Sequence, residues 1–189
     1  MEGTFGCRVE AGRRVRASVQ EGAVEGSVRP QYNSHCTTFE INNESLIVKT
    51  CNKTPDANLC IRSIKSRPGS ATANRTGLAE ITMDVLNIKV IDVLNKIHDL
   101  QSAGTEPKQG LDSCEKNYTK MKEVDIPKAI QALRSGDGKG AEDVVKGDVE
   151  LAMNCEKQSR GLLTSLNQFV RDVANVAQSI ARQLYTKKH

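Results

Sequence analysis

The chain contains no tryptophan, and only three phenylalanines and three tyrosines among 189 residues. Of these aromatics, Tyr118, Phe169 and Tyr185 alone lie beyond residue 40. A core must therefore be built from Leu, Ile, Val and Ala, side chains that suit helix-on-helix packing. No apolar run reaches the roughly 18 residues needed to cross a bilayer, so no membrane span is expected. Residues 1–40 also lack the apolar stretch of about 7–15 residues that marks a secretory leader. No excess of one charge sign is present: the net charge is +4, with Lys and Asp/Glu interspersed. That pattern describes a solvated surface and argues against a nucleic-acid partner.

Catalytic and metal-binding signatures are missing as well. There is no GxSxG, no HExxH and no GxGxxG following a strand pattern. No CxxC occurs, and His35, His98 and His189 stand far apart, with only His35 beside a cysteine. Zinc and thioredoxin-type redox chemistry are therefore unsupported, and neither a metal nor a cofactor is expected. His98 lies in a helical pattern between Ile97 and Asp99 and reads as a surface residue. The segment Gly136-Asp137-Gly138-Lys139-Gly140 fails as a phosphate loop, because Gly140 follows Lys139 where Ser or Thr is required. It fails as a calcium loop because Lys139 takes a ligand position. Gly136 as a helix C-cap and Asp137 as the next N-cap account for it.

Six cysteines are present, at 7, 36, 51, 60, 114 and 155. An even number in a short chain points to disulfides and an oxidising compartment, although six cysteines admit about 15 pairings on sequence alone. Four N-x-S/T sequons, at Asn43, Asn52, Asn74 and Asn117, are candidate glycosylation sites and agree with secretion.

Composition divides the chain in two. The first 40 residues use Arg and no Lys, and residues 1–35 follow neither strand nor helix periodicity. Residues 1–41 are accordingly expected to be a disordered extension to a domain at 42–189. A mispredicted start that replaced a leader would produce such a shift. From Asn42 onward the pattern is helical. A short apolar segment leads to Thr54-Pro55, read as an N-cap and first helical residue, and a second short helix with Leu59, Cys60 and Ile64 on one face. Longer helices follow over 77–102, 108–134, 141–158 and from Gly161 to the end. Pro127 should kink or split the second. The last carries the stripe Leu162, Leu166, Phe169, Val173, Val176, Ile180, Leu184. Four antiparallel helices with short loops make an all-α up-and-down bundle, here preceded by a short helical hairpin.

That topology constrains the cysteines. Cys114 lies about 22 residues before the turn near Gly136, and Cys155 about 18 after it, runs of roughly 33 and 27 Å in a helix. In an antiparallel hairpin the two reach nearly the same level, within disulfide range. Cys51 and Cys60 can close locally across Pro55. Chain entropy assigns roughly 4 kcal/mol to the longer loop and roughly 3 kcal/mol to the shorter, as upper values. Cys7 and Cys36 fall in the extension and are given no role.

The segments TCNKTPDANLC, SRPGSATA, LDSCEKNYTKM, IPKAIQALRSGDGKGAED and NCEKQSRG resemble the plant invertase/pectin methylesterase inhibitor domain over about residues 42–187. The resemblance implies the same bundle, the same two disulfides (Cys51–Cys60 and Cys114–Cys155) and an inhibitor rather than an enzyme. It implies an apoplastic (cell-wall) or vacuolar location and a one-to-one complex with the target. IPKAIQALRSGDGKGAED is closer to the branch that inhibits acid invertase, the cell-wall or vacuolar β-fructofuranosidase. There a Pro-Lys-Phe turn reaches the enzyme's catalytic carboxylates. Gly138, Lys139 and Gly140 occupy that position here, so the cation is kept while the proline and the aromatic anchor are not. Glycine at both places predicts a flexible turn and weaker inhibition. The alternatives are a pectin methylesterase inhibitor using a helical face, and a disulfide-stabilised helical carrier or storage protein with an apolar cavity.

Overall fold

The computed structural model describes residues 46–186. The expected extension at 1–41, and with it Cys7, Cys36 and Asn43, lies outside the described residues. All regular structure is helical, and no strand occurs among the described residues.

Residues 46–51 form α1, and Ala57–Lys65 form α2. The cap between them differs from expectation. Thr54 Oγ1 donates back to the Cys51 carbonyl at 2.7 Å, finishing α1. The cap of α2 passes to Asp56, whose Oδ1 accepts from Leu59 N at 2.8 Å. A carboxylate is the better acceptor at the positive end of a helix. The Cys51–Cys60 bridge closes this hairpin with a Cα separation of 5.5 Å, and both cysteines are fully buried.

Helix α3 spans Arg75–Ser102 and begins two residues before the expected start, because Asn74 caps it through Oδ1 to Gly77 N at 2.8 Å. It ends at Gly104, whose φ of 67° needs a residue without Cβ strain. Helix α4 covers Lys108–Lys120, a π-helical segment Met121–Asp125 follows, and α5 runs Ile126–Arg134. Pro127 thus neither breaks nor ends the run. Proline has no N–H and its ring crowds the carbonyl four residues back; one wider turn, with Ile126 N bonded to Met121 O, relieves both.

Helix α6 spans Gly138–Gln158 and α7 spans Thr164–Tyr185, joined through Arg160 and Gly161 at φ 50° and 86°. The long elements pack in a closed ring: α3 on α4 and α5, these on α6, α6 on α7, and α7 back on α3. Inside lie Leu78, Met83, Leu86, Ile97, Leu111, Met121 and Ile180, all essentially inaccessible. Phe169, which the sequence places on the inward stripe of the last helix, is half-exposed instead. It is 39% accessible and lies under Lys89 Nζ, 5.2 Å from its ring centroid. Ile88 is 36% accessible. Alanines at 174, 177 and 181 bring α7 close to its neighbours, and Val170 takes the inward place.

Cys114 and Cys155 join α4 to α6 with a Cα separation of 4.9 Å, as the level argument required. Gly110 allows the approach: a Cβ there would stand 2.2 Å from the Gln158 carbonyl oxygen. Beside the bridge, Tyr118 is fully buried and donates to Asn167 Oδ1 at 2.6 Å. Asn167 Nδ2 in turn donates to Glu156 Oε2 at 2.6 Å, and Thr164 Oγ1 donates to Glu156 Oε1. The network ties α4, α6 and α7 together, and burial pushes the Tyr118 phenol well above its ordinary value.

Candidate functional site

The end of the α5–α6 hairpin is made by local rules. Gly136 takes φ 81°, and Asp137 N donates to the Ala132 carbonyl at 2.8 Å, closing α5. Asp137 then caps α6 through Oδ1, which accepts from Gly140 N at 2.7 Å. Both caps match the sequence reading.

The tripeptide that follows is not a loop. Gly138, Lys139 and Gly140 form the first turn of α6, so the expected flexible turn is corrected to helix. Gly138 is buried, and a Cβ on it would meet the Ala181 carbonyl oxygen at 2.9 Å and Leu184 Cβ at 3.1 Å. Its missing side chain makes room for the last turn of α7. A Cβ on Gly140 would run into the capping Asp137 carboxylate at 2.1 Å. Neither glycine is free to flex: a helical hydrogen-bond pattern and close neighbours fix both.

Lys139 is left facing outward. Its ammonium pairs with Asp143 one turn on, and the two side chains are 55% and 58% accessible. The Asp143 carboxylate raises the lysine's pKa, so Lys139 is charged throughout the acid and neutral range. Beneath this pair Glu142 is buried. Its Oε1 accepts from Arg182 Nε at 2.9 Å and from Arg182 Nη2 at 2.5 Å, and its Oε2 accepts from the Tyr185 hydroxyl. The Arg182 guanidinium holds the Glu142 carboxyl below its usual range. Ala-Glu-Asp at 141–143 therefore divides by function: Ala141 packs inward, Glu142 anchors α7, and Asp143 pairs with the exposed cation. The local sequence marks the tripeptide but not this division, which depends on where α7 lies.

A groove of about 610 Å³ runs from this turn along α6, lined by Lys120, Lys128, Gly140, Asp143, Gly147 and Asn154 among others. Its mixed charge suits a polar protein surface better than an apolar ligand.

The other candidate residues are dispersed. Asn52 and Asn74 are exposed at helix ends, whereas Asn117 is half-buried in the last turn of α4. His98 is exposed, as expected, and lies 3.2 Å from Glu115 Oε1. No group of three or more acidic, His or Cys side chains able to hold a metal occurs among the described residues. No helix among them is long and apolar enough to cross a membrane.

Residues 45–184 match the family model described as plant invertase/pectin methylesterase inhibitor. The chain is 34% identical over 143 residues to an Arabidopsis thaliana protein named cell wall / vacuolar inhibitor of fructosidase 1, covering 74% of this chain and 69% of the relative. It is 31% identical over 109 residues to pectinesterase inhibitor 2 of the same plant, covering 57% of this chain and 62% of that one. A pectinesterase inhibitor from Actinidia deliciosa is 28% identical over 118 residues, covering 61% and 63%. The chain thus spans a little under two thirds of the two pectinesterase inhibitors. The crystal structure of a mutant form of an Arabidopsis pectin methylesterase inhibitor superposes with a TM-score of 0.63 at 22% identity, covering 77% of this chain and 99% of that one. That likeness establishes the bundle fold. With the disulfide-braced bundle, the capped hairpin and the family match over most of its length, the chain belongs to the plant invertase/pectin methylesterase inhibitor family, whose relatives are named as inhibitors and not as enzymes.

Proposed function

We propose that the protein inhibits plant acid invertase, in a one-to-one complex, in the cell wall or vacuole. The carrying observation is Lys139: a cation exposed on the first turn of α6, at the end of a hairpin braced by Cys114–Cys155. The 34% relative named as an inhibitor of fructosidase supports this target. Glycoside hydrolases work with paired carboxylates, and an ammonium delivered into such a cleft by a rigid element is a direct electrostatic block. Because Gly138 and Gly140 are held in helix, little ordering entropy is lost on docking, which removes one of the two reasons to expect weak inhibition. The other reason, the missing aromatic anchor, still predicts modest affinity.

The second reading, pectin methylesterase inhibition through a helical face, draws on the two pectinesterase-inhibitor relatives. Adding the oxidised chain to each enzyme at acidic pH separates the two. Invertase should lose activity and pectin methylesterase should not; the reverse pattern rejects the first reading. Lys139→Ala should weaken invertase inhibition by about tenfold or more. Unchanged inhibition would remove the role assigned to this turn.

A further inference from the structure

The π-helical segment has a second consequence, deep in the hairpin. Asp148, on α6, is completely inaccessible, and neither of its carboxylate oxygens meets a hydrogen-bond donor. The group facing it is the carboxylate of Asp125, the last residue of the π segment and itself only 7% accessible. Asp125 Oδ2 is taken by the Lys120 ammonium from the end of α4. Two acids are thus buried side by side, with a single ammonium bound to one of them.

Two adjacent buried carboxylates cannot both be ionised without a counter-charge for each. Lys120 supplies one. A cation bound in place of a proton is disfavoured, because only two carboxylates converge and the ammonium already sits on one of them. The arrangement is satisfied if Asp148 keeps its proton and donates it to the Asp125 oxygen that Lys120 does not use.

We propose that Asp125 and Asp148 share one proton and form a pH-sensitive latch, which fastens α6 to the π segment in acidic surroundings and loosens as the pH rises. The charged groups acting on Asp148 are Asp125 from the π segment and Lys120 from α4; none on α7 is among them. Lys128 of α5, and Asp143 and Glu150 of α6, line the groove outside. The latch lies under the same groove that leads to Lys139, so its release would alter the surface next to the exposed cation. It requires no particular target enzyme and can be tested on the inhibitor alone.

The direction of the effect follows from linkage. Burial first, and the Asp125 charge second, push the Asp148 carboxyl up to about 8 from an ordinary 3.8. Between those limits the folded chain binds one proton more than the unfolded chain. Its contribution to stability is complete below 3.8 and is lost progressively as pH rises toward 8.

Denaturant unfolding of the oxidised full chain from acidic to alkaline pH tests this, with Asp148→Asn as the comparison. The amide keeps the shape and can still donate to Asp125, but it does not titrate. The ratio of the wild-type unfolding constant to that of D148N should rise with pH by up to about tenfold per unit, then level off near the upper limit. A ratio constant within twofold overturns the latch. Asp125→Asn removes the like charge and offers Asp148 a donor, so its transition should move to lower pH; an unmoved transition overturns the shared proton. Should D148N fail to fold, infrared difference spectra of the wild type decide. A protonated buried carboxyl band at weakly acidic pH that bleaches in alkali supports the latch, and its absence rejects it.

Discussion

Glycines at 138 and 147 lie in the same helix and have opposite surroundings. At Gly138 an added methyl meets a backbone carbonyl oxygen at 2.9 Å, an atom that cannot swing away. At Gly147 it meets nothing within 4 Å. Gly138→Ala should therefore lower stability, by about 1–2 kcal/mol, as α7 is pushed back. Gly147→Ala should raise it by about 0.5–1 kcal/mol, because alanine loses less backbone entropy within a helix. Thermal melts of the two variants check the contrast, and a gain for both would mean that the last turn of α7 yields easily. From the sequence the two glycines could not be told apart. Their difference lies in residues 181–185, more than 40 positions away from Gly138.

At the scale of elements, the hairpins were legible because their signals are local. Gly136 and Asp137 carry their cap chemistry within four residues, and the arithmetic of helical rise placed Cys114 opposite Cys155. Thr54 reads as the cap that Asp56 provides, since both are good cap residues and two positions decide between them. The π segment was foreseen only as a disturbance at Pro127; whether a proline kinks a helix or widens one turn depends on its neighbours. The two bridges should differ in weight. Replacing Cys114 and Cys155 together by alanine removes the constraint on a loop of separation 41 and should cost up to about 4 kcal/mol. The same change at Cys51 and Cys60, with separation 9, should cost up to about 3 kcal/mol and leave the bundle folded. Urea unfolding of both double variants, with helicity followed by circular dichroism, gives the order.

For the molecule as a whole, pH acts in two directions. Glu142 has its carboxyl held below 4.5 by Arg182, so its contribution to stability is present above 4.5 and is lost as pH falls through the lowered value. Asp148 behaves oppositely and weakens the fold as pH rises toward 8. The inhibitor should accordingly be most stable on the acidic side of neutrality, as suits the proposed cell-wall or vacuolar setting. Arg182→Ala should shift acid unfolding to higher pH and, by leaving Glu142 buried without its cation, cost about 1–3 kcal/mol near neutrality. Acid titration followed by circular dichroism measures the shift, and an unmoved midpoint would show that Tyr185 alone suffices to hold the carboxylate.

The sequence by itself determined the helical architecture, the caps around Gly136 and Asp137 and the level of the second disulfide. Periodicity, cap chemistry and helical rise act over short stretches of chain and need no knowledge of neighbours. Only the tertiary structure decided that Phe169 faces outward, that Gly138 is packed rather than flexible, and that Asp148 stands against Asp125. Exposure, close approach and the state of a buried acid are all properties of what an adjacent helix brings to within a few ångströms. No local pattern encodes that distance.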